Sequence, residues 1–332
     1  MLISEVTRFE DVIPSGAIRL GFGCGGLYGG RDRRQSLRLL ETAIDSGITY
    51  FDTARMYGLG VAESLLGEIA SHNRHRMIIA TKVGILPASN NVPLRIAARG
   101  FNLLHKVIPS SNRYLPVPAA SQLRFHAFSR PALCRSFDKS LQELRTDYID
   151  VLLLHECSAE DVDDPQVLEF LLGLKQQGKV RAFGIATGIE QTLRIMPFHA
   201  SLTSIVQIPS SILDTNIRRL PLRRNGLTVV HSCLARNVRS LVFQLSADNA
   251  LATKWHVMTQ VDPRDETGIA QLLLAHALEA NPLGIVLFST SKLANLKSNV
   301  KAAIDPVIKP AQIEGLNAFC GTILHSFLKQ QH

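Results

Sequence analysis

Short β-rich runs alternate with amphipathic helical runs along most of this chain. In the first helical run, Leu37, Leu40 and Ile44 share one face, and Gly47 follows as a stop signal. Strands that alternate with helices are typical of a parallel sheet covered by helices. The pattern predicts eight such units, with strands at Ile18–Gly23, Thr49–Asp52, Met77–Lys82, Ile149–His155, Val180–Ala186, Ser204–Ile208, Leu227–His231 and Gly284–Phe288.

Capping residues mark several of the predicted helix ends. Asp32 together with Gln35 is expected to cap the first helix. The helix after the fourth strand has Asp164 as its cap, Pro165 in its first turn and Gly178 as its stop. Further helices are predicted over Glu63–Ala70, after Ser129, and over Glu266–Ala280.

No linker-like composition separates the eight units. We therefore expect residues 1–332 to form one domain of the α/β class, a single closed (β/α)8 TIM barrel. A doubly wound sheet would usually carry a G-x-G-x-x-G turn after its first strand. The glycines within Gly21–Gly26 lack that spacing, which favours the barrel.

Two connections, 84–130 and 232–264, are longer than the ~12–15 residues of an ordinary loop. They follow the third and the seventh strand, so we expect long loops on the C-terminal face of the barrel, where active sites lie. Residues 94–106 have the pattern of a basic amphipathic helix. This pattern predicts a basic, lid-like insertion over the barrel mouth, and the alternative is a helix that binds a membrane surface.

Positive charge is concentrated around the first of these connections. The net charge is +8, yet no acidic residue lies between Glu68 and Asp138, where ten basic residues occur. Such a stretch predicts an anionic substrate or an acidic docking partner, and the alternative is a solvated face that only aids solubility. No recognition-helix or aromatic-interleaved pattern accompanies the charge, so nucleic-acid binding is not expected.

The composition indicates a folded protein that is not exported. Hydrophobic residues occupy 46% of the 332 positions and charged residues only 19%, which excludes intrinsic disorder. The longest apolar runs are far shorter than the ~20 residues of a membrane-spanning helix, and no leader pattern follows Met1, so a cytoplasmic location is expected. The five cysteines form no Cys-x-x-Cys pair, so we predict neither a disulfide framework nor a metal site.

Polar residues end several of the predicted strands, where a barrel places its chemistry. An ammonium beside a tyrosine lowers the phenol pKa from its usual ~10, and Lys82 could act in this way on Tyr57. Asp52 would compensate a buried lysine, and His155 could orient a substrate carbonyl. Each residue alone could instead be a helix cap or a buried strand-end side chain, but the set together predicts proton transfer. The strand-end residues are Asp52, Lys82, His155, Gln207 and His231.

Five segments of the chain occur in a characteristic order and spacing: Phe51–Gly58, Ala80–Gly84, Asp147–His155, Gly178–Ile185 and Val206–Asp214. These segments make the chain similar to the aldo-keto reductase superfamily. Tyr57–Ser64 and Arg135–Leu144 further resemble bacterial aldose or galactose dehydrogenases. The resemblance implies a (β/α)8 barrel and NAD(P)-dependent oxidation or reduction of an aldehyde, ketone or sugar. It also implies Tyr57 as general acid or base, assisted by Asp52, Lys82 and His155.

The resemblance also implies cofactor contacts, some of which depart from the family pattern. Thr187 and Gln207 are expected near the nicotinamide carboxamide, and His231 stands where relatives have an aromatic residue that stacks on the nicotinamide. No Arg follows strand eight to bind a 2′-phosphate, which favours NAD while NADP remains allowed. The helix N-terminus there can bind phosphate groups. The remaining expected contacts are Ser232, Leu234, Ser289, Thr290, Ser291, Lys292 and Asn299.

A second class of function remains open on the sequence. Potassium-channel β-subunits resemble the same family, so the chain could be a non-catalytic or redox-sensing nicotinamide-binding partner protein. The altered cofactor contacts keep this alternative open, whereas the intact set around Tyr57 favours an enzyme.

Overall fold

The protein is described here by a computed structural model, which covers residues 12–29, 32–86, 124–221 and 226–327. Eight parallel strands close into a barrel in sequence order, and the eighth strand pairs with the first. The predicted (β/α)8 barrel is thereby confirmed. The strands are β1 (Leu20–Gly23), β2 (Tyr50–Asp52), β3 (Ile78–Val83), β4 (Ile149–His155), β5 (Val180–Ala186), β6 (Ile205–Pro209), β7 (Leu227–His231) and β8 (Ile285–Phe288).

Helices surround the barrel. The cap and stop predicted for the helix after β4 are present, because the Asp164 side chain accepts from the Gln166 amide and Gly178 has a φ of +69°. The helices are α1 (Arg33–Asp45), α2 (Ala62–Asn73), α3 (Arg130–Leu144), α4 (Ala159–Val162), α5 (Pro165–Gln176), α6 (Ile189–Ile195), α7 (Ala235–Ala247), α8 (Asn249–Thr259), α9 (Glu266–Ala280), α10 (Leu293–Ile304) and α11 (Pro310–Phe327). Among these described helices, none is long and apolar enough to cross a membrane.

The apolar side chains form an outer and an inner core cluster. Side chains alternate across a strand, and in β4 Leu152 and Leu154 belong to the outer cluster while Val151 and Leu153 belong to the inner one. The outer cluster includes the buried faces of the helices. The inner cluster consists of strand residues together with Val12 and Ile13. The interior of the barrel is therefore filled by side chains.

A buried carboxylate joins three elements near the start of β4. Asp150 is 2% exposed and forms ion pairs with Arg74 at 2.7 Å and Arg181 at 2.9 Å. It also accepts a hydrogen bond from the Ile79 amide at 2.9 Å. These contacts lie at the end of the barrel opposite the C-terminal ends of the strands.

Two expectations about local structure are wrong. Asp32 makes no side-chain capping hydrogen bond within the described part of the chain, and Gln35 instead donates to the carbonyl of Ser291. The connection after β7 is not a loop, because it contains α7 and α8. Helix α8 packs on α11 through Trp255 and Phe319, whose ring centroids are 5.1 Å apart.

The connection after β3 is described at its two ends. Leu86 and Arg124 pair as antiparallel backbone, with N···O distances of 3.0 and 3.3 Å. The helix predicted over 94–106 falls within residues 87–123, which lie outside the described residues. The lid therefore stays a prediction.

Candidate active site

The C-terminal ends of β2 and β3 place an aspartate and a lysine in contact. The Lys82 ammonium donates to both carboxylate oxygens of Asp52, at 2.7 and 2.8 Å, and to the carbonyl of Thr53 at 2.9 Å. Lys82 is 1% and Asp52 3% exposed. A lysine so deeply buried needs a compensating charge, and Asp52 provides it.

Tyr57 and His155 lie against the same ammonium. Tyr57 begins a 3-10 turn that ends at Gly60, and the Lys82 Nζ atom is 4.7 Å from the centre of its ring. The rings of Tyr57 and His155 meet edge to face, with their centroids 6.1 Å apart. The structure thus brings the four residues predicted for proton transfer, which include Asp52, into one cluster.

A glycine fixes the turn that carries Tyr57. Gly58 has a φ of +58°, a conformation that L side chains rarely adopt. A Cβ at this position would lie 2.1 Å from the carbonyl oxygen of Leu27, which belongs to the connection after β1. The turn is therefore pressed against that connection, and this close approach positions the tyrosine.

Burial opposes ionisation of the tyrosine more strongly than the sequence suggested. Burial raises the pKa of Tyr57, the Lys82 ammonium lowers it by less, and Asp52 raises it again. The effect of Lys82 thus has the direction that the sequence predicts, but burial outweighs it and the net shift of the pKa is upward. Burial alone would lower the pKa of Lys82, but Asp52 and Tyr57 raise it above its usual value, which keeps the ammonium charged.

Both histidines at the mouth are kept neutral. Burial, and to a smaller extent the charges of Lys82 and His231, together lower the pKa of His155 to about 3. Burial likewise lowers the pKa of His231, where the effect of Asp52 is to raise it and that of Lys82 to lower it. Near neutral pH, each imidazole can therefore donate one hydrogen bond and accept another.

The ends of β5, β6 and β7 carry the residues expected around a nicotinamide. Gln207 is 3% exposed, and its Oε1 atom has no hydrogen-bond partner among the described residues. A buried acceptor without a partner is costly, and it fits the N–H group of a carboxamide. Thr187 is buried beyond β5, Leu234 is buried just before α7, and His231 Nδ1 lies 2.8 Å from Ser232 Oγ.

The segment after β8 leads into a helix N-terminus. Ser289 donates to the carbonyl of Gly23 at 2.8 Å, and Thr290 accepts from the Lys292 amide at 3.1 Å. Lys292 precedes α10 and makes no side-chain capping hydrogen bond to the part of the chain that is described. The first N–H groups of α10 thus suit an anion such as a phosphate. Asn299 lies buried in the second turn of the same helix, and the Ser291 carbonyl contacts Gln35.

Sequence reasoning missed a buried ion pair behind the tyrosine. Glu63 accepts from Arg55 at 2.8 Å and from the hydroxyl of Thr81 at 2.6 Å. Glutamate is almost never fully buried unless it is paired. The helical pattern around Glu63 therefore contained no signal that it would lie inside the protein.

Comparisons with known proteins identify the family of the chain and relatives with a similar fold. A model of the Aldo/keto reductase family matches residues 19–319. The chain is 25% identical over 319 residues to the uncharacterized oxidoreductase YqkF of Bacillus subtilis, covering 90% of this chain and 91% of that one. It is 29% identical over 180 residues to D-threo-aldose 1-dehydrogenase of Pseudomonas sp., covering 52% and 51% of the two chains. The fold is similar to that of aldo-keto reductase AKR11C1 from Bacillus halodurans, with a TM-score of 0.64, 22% identity and 91% coverage of both chains.

Proposed function

Because this chain belongs to the aldo/keto reductase family, we propose that it is an NAD(P)-dependent oxidoreductase in which Tyr57 exchanges a proton with the substrate oxygen. The substrates would be aldehydes, ketones or sugars and the corresponding alcohols. The observation that carries the proposal is the contact of the half-buried Tyr57 with the buried Lys82, which is itself paired with Asp52 at 2.7 Å.

The four clustered residues divide the chemistry of carbonyl reduction among them. The Tyr57 hydroxyl gives its proton to the carbonyl oxygen as negative charge develops there. The ammonium of Lys82 stabilises the phenolate that remains, and Asp52 holds that ammonium in place. His155 is neutral, so its N–H group can donate to the same carbonyl oxygen and stabilise the developing charge. In alcohol oxidation the proton moves in the opposite direction.

The residues around the mouth fit a nicotinamide cofactor. When bound, this cofactor supplies or accepts the hydride. Gln207 would accept from its carboxamide, and the N-terminus of α10 with Thr290 would hold its phosphate groups. The preference for NAD over NADP rests on the missing Arg after β8 and remains part of the proposal.

Substrate charge is a further part of the proposal. The acid-free stretch between Glu68 and Asp138 would attract an anionic substrate or an acidic partner. Arg124, one of the basic residues of this stretch, is exposed and pairs with Leu86 at the start of the connection after β3, which supports this part of the proposal.

Replacement of the tyrosine hydroxyl tests the proposed function. We expect Tyr57→Phe to lower kcat/KM for carbonyl reduction by at least ~100-fold, because only the proton donor is lost. The dissociation constants of NADH and NADPH, measured by fluorescence titration, should stay at the wild-type values. Tyr148→Phe is the matched control, because Tyr148 stacks under Arg74 near the start of β4, away from the mouth.

Two results would overturn the proposal. Unchanged turnover in Tyr57→Phe would remove Tyr57 from its role. Binding of either cofactor by the wild-type protein, without turnover on a panel of aldehydes, ketones and sugars, would instead support a non-catalytic nicotinamide-binding protein.

A further inference from the structure

One carboxylate connects the two chain segments that carry Tyr57 and Lys82. Glu63, in the first turn of α2, is 1% exposed. Its Oε2 atom accepts a hydrogen bond from Nη1 of Arg55 at 2.8 Å, and its Oε1 atom accepts from Oγ1 of Thr81 at 2.6 Å. Arg55 lies two residues before Tyr57, and Thr81 directly precedes Lys82. The carboxylate thus bridges the tyrosine loop and the lysine strand.

The bridge lies behind the cluster and takes no part in its contacts. Side chains alternate across a strand, so Thr81 faces away from the barrel interior toward α2, while Lys82 faces the mouth. Carboxylates are costly to bury, and an apolar residue would often be as stable at such a position. The buried carboxylate of Glu63 is therefore better explained by its effect on the relative position of the tyrosine loop and β3 than by a gain in stability.

Alignment matters because the tyrosine sits on a short turn whereas the lysine sits on a strand. The Lys82 ammonium is 4.7 Å from the centre of the Tyr57 ring. A displacement of about 1 Å between reacting groups can lower a rate by ~100-fold. A contact that connects the turn to β3 therefore directly affects the distance between Tyr57 and Lys82, on which proton transfer depends.

We propose that Glu63 is a positioning residue, which joins Arg55 to Thr81 and thereby sets the separation of the Tyr57 phenol from the Lys82 ammonium. The proposal rests on the proposed function for its effect on turnover. Its effect on the environment of Tyr57 can be measured without turnover.

Three variants remove or keep the bridge. Glu63→Gln retains the shape of the side chain and loses its charge, so the pull on Arg55 weakens. Thr81→Val retains the shape and loses the hydroxyl, whereas Thr81→Ser keeps the hydroxyl. Asp150→Asn is the matched control, since Asp150 is also a buried carboxylate that pairs with arginines but lies at the opposite end of the barrel.

In kinetics we expect Glu63→Gln and Thr81→Val to lower kcat by ~10-fold or more, with KM little changed. Thr81→Ser should recover most of what Thr81→Val loses. The limb of the pH profile that reports Tyr57 should move to higher pH, because a more distant Lys82 lowers the phenol pKa less. The other titratable groups around this phenol are Asp52, Cys24 and His155, and these variants leave all three side chains unchanged.

A readout without turnover is the 13Cζ resonance of Tyr57, identified among the five tyrosines by its loss in Tyr57→Phe. Its chemical shift and titration should change in Glu63→Gln and Thr81→Val but not in Asp150→Asn. If the resonance is the same in all variants, or if kcat falls equally in Asp150→Asn, the positioning role of Glu63 is wrong. A changed resonance in a protein whose wild type has no turnover would leave the positioning role standing and overturn the proposed function.

Discussion

Replacing Lys82 by methionine removes an ammonium from the centre of the cluster. The ammonium makes hydrogen bonds of 2.7, 2.8 and 2.9 Å to Asp52 and Thr53. Asp52 is 3% exposed, so water cannot readily take the place of the lost partner. Removing one member of a buried ion pair costs about 3–5 kcal/mol, and we expect the free energy of unfolding of Lys82→Met to fall by that amount. Methionine fills most of the lysine volume, so a cavity contributes little.

A double-mutant cycle separates the unpaired charge from the lost side chain. The double variant Asp52→Asn with Lys82→Met contains no unpaired charge, so it should recover at least ~1.5 kcal/mol of the loss. Urea unfolding of the wild type, the two single variants and the double variant measures these terms. Turnover should be lost whenever Lys82 is absent. Equal stability losses in Lys82→Met and the double variant would refute the account of the ion pair, and a wild-type rate and pH profile in Lys82→Met would refute the assistance to Tyr57.

Three further predictions concern the turn, the histidine and the cofactor. Gly58→Ala should destabilise the protein by roughly 1–3 kcal/mol because of the positive φ alone, and the added Cβ would also lie 2.1 Å from the carbonyl oxygen of Leu27. Gly173→Ala within α5 should not destabilise the protein, so equal melting temperatures of the two variants would contradict this prediction. The pKa of His155 is lowered to about 3, so its contribution to stability should be fully present above pH 6.5 and lost as the pH falls toward about 3. In His155→Gln, the free energy of unfolding should therefore depend less on pH over that range. NADH and NADPH dissociation constants should differ by less than ~100-fold, and a strong NADPH preference would show that a lysine such as Lys292 reads the 2′-phosphate.

Much of the barrel could be predicted because its signals are local. Strands β4, β5 and β7 and helix α9 have the predicted bounds residue for residue. In α5, the cap at Asp164 and the stop at Gly178 mark the ends directly in the sequence. The failures come from tertiary contacts. Gln35 contacts the segment after β8 instead of capping α1, and α7 and α8 occupy a stretch that was predicted as a loop.

In the candidate site, too, local features could be predicted from the sequence whereas features that depend on tertiary contacts could not. Strand-end positions could be read from the sequence, because parallel strands bring their C-terminal ends to one face, and this placed Asp52 and Lys82 correctly at the mouth. The direction of the Tyr57 pKa could not be read, since it depends on how far burial outweighs a neighbouring charge. Glu63 could not be found either, because its partner Thr81 is eighteen positions away and becomes a neighbour only when β3 lies beside α2.

The antiparallel pair Leu86 and Arg124 makes the insertion after β3 exchangeable. Two backbone hydrogen bonds join Leu86 to Arg124, the two described residues that flank residues 87–123. With the ends already joined, the entropic cost of a different length is small, about 0.6 kcal/mol for each doubling of a flexible loop. We therefore expect the strands to keep their register when the segment between residues 86 and 124 is shortened, exchanged for that of a relative or replaced by a reporter peptide.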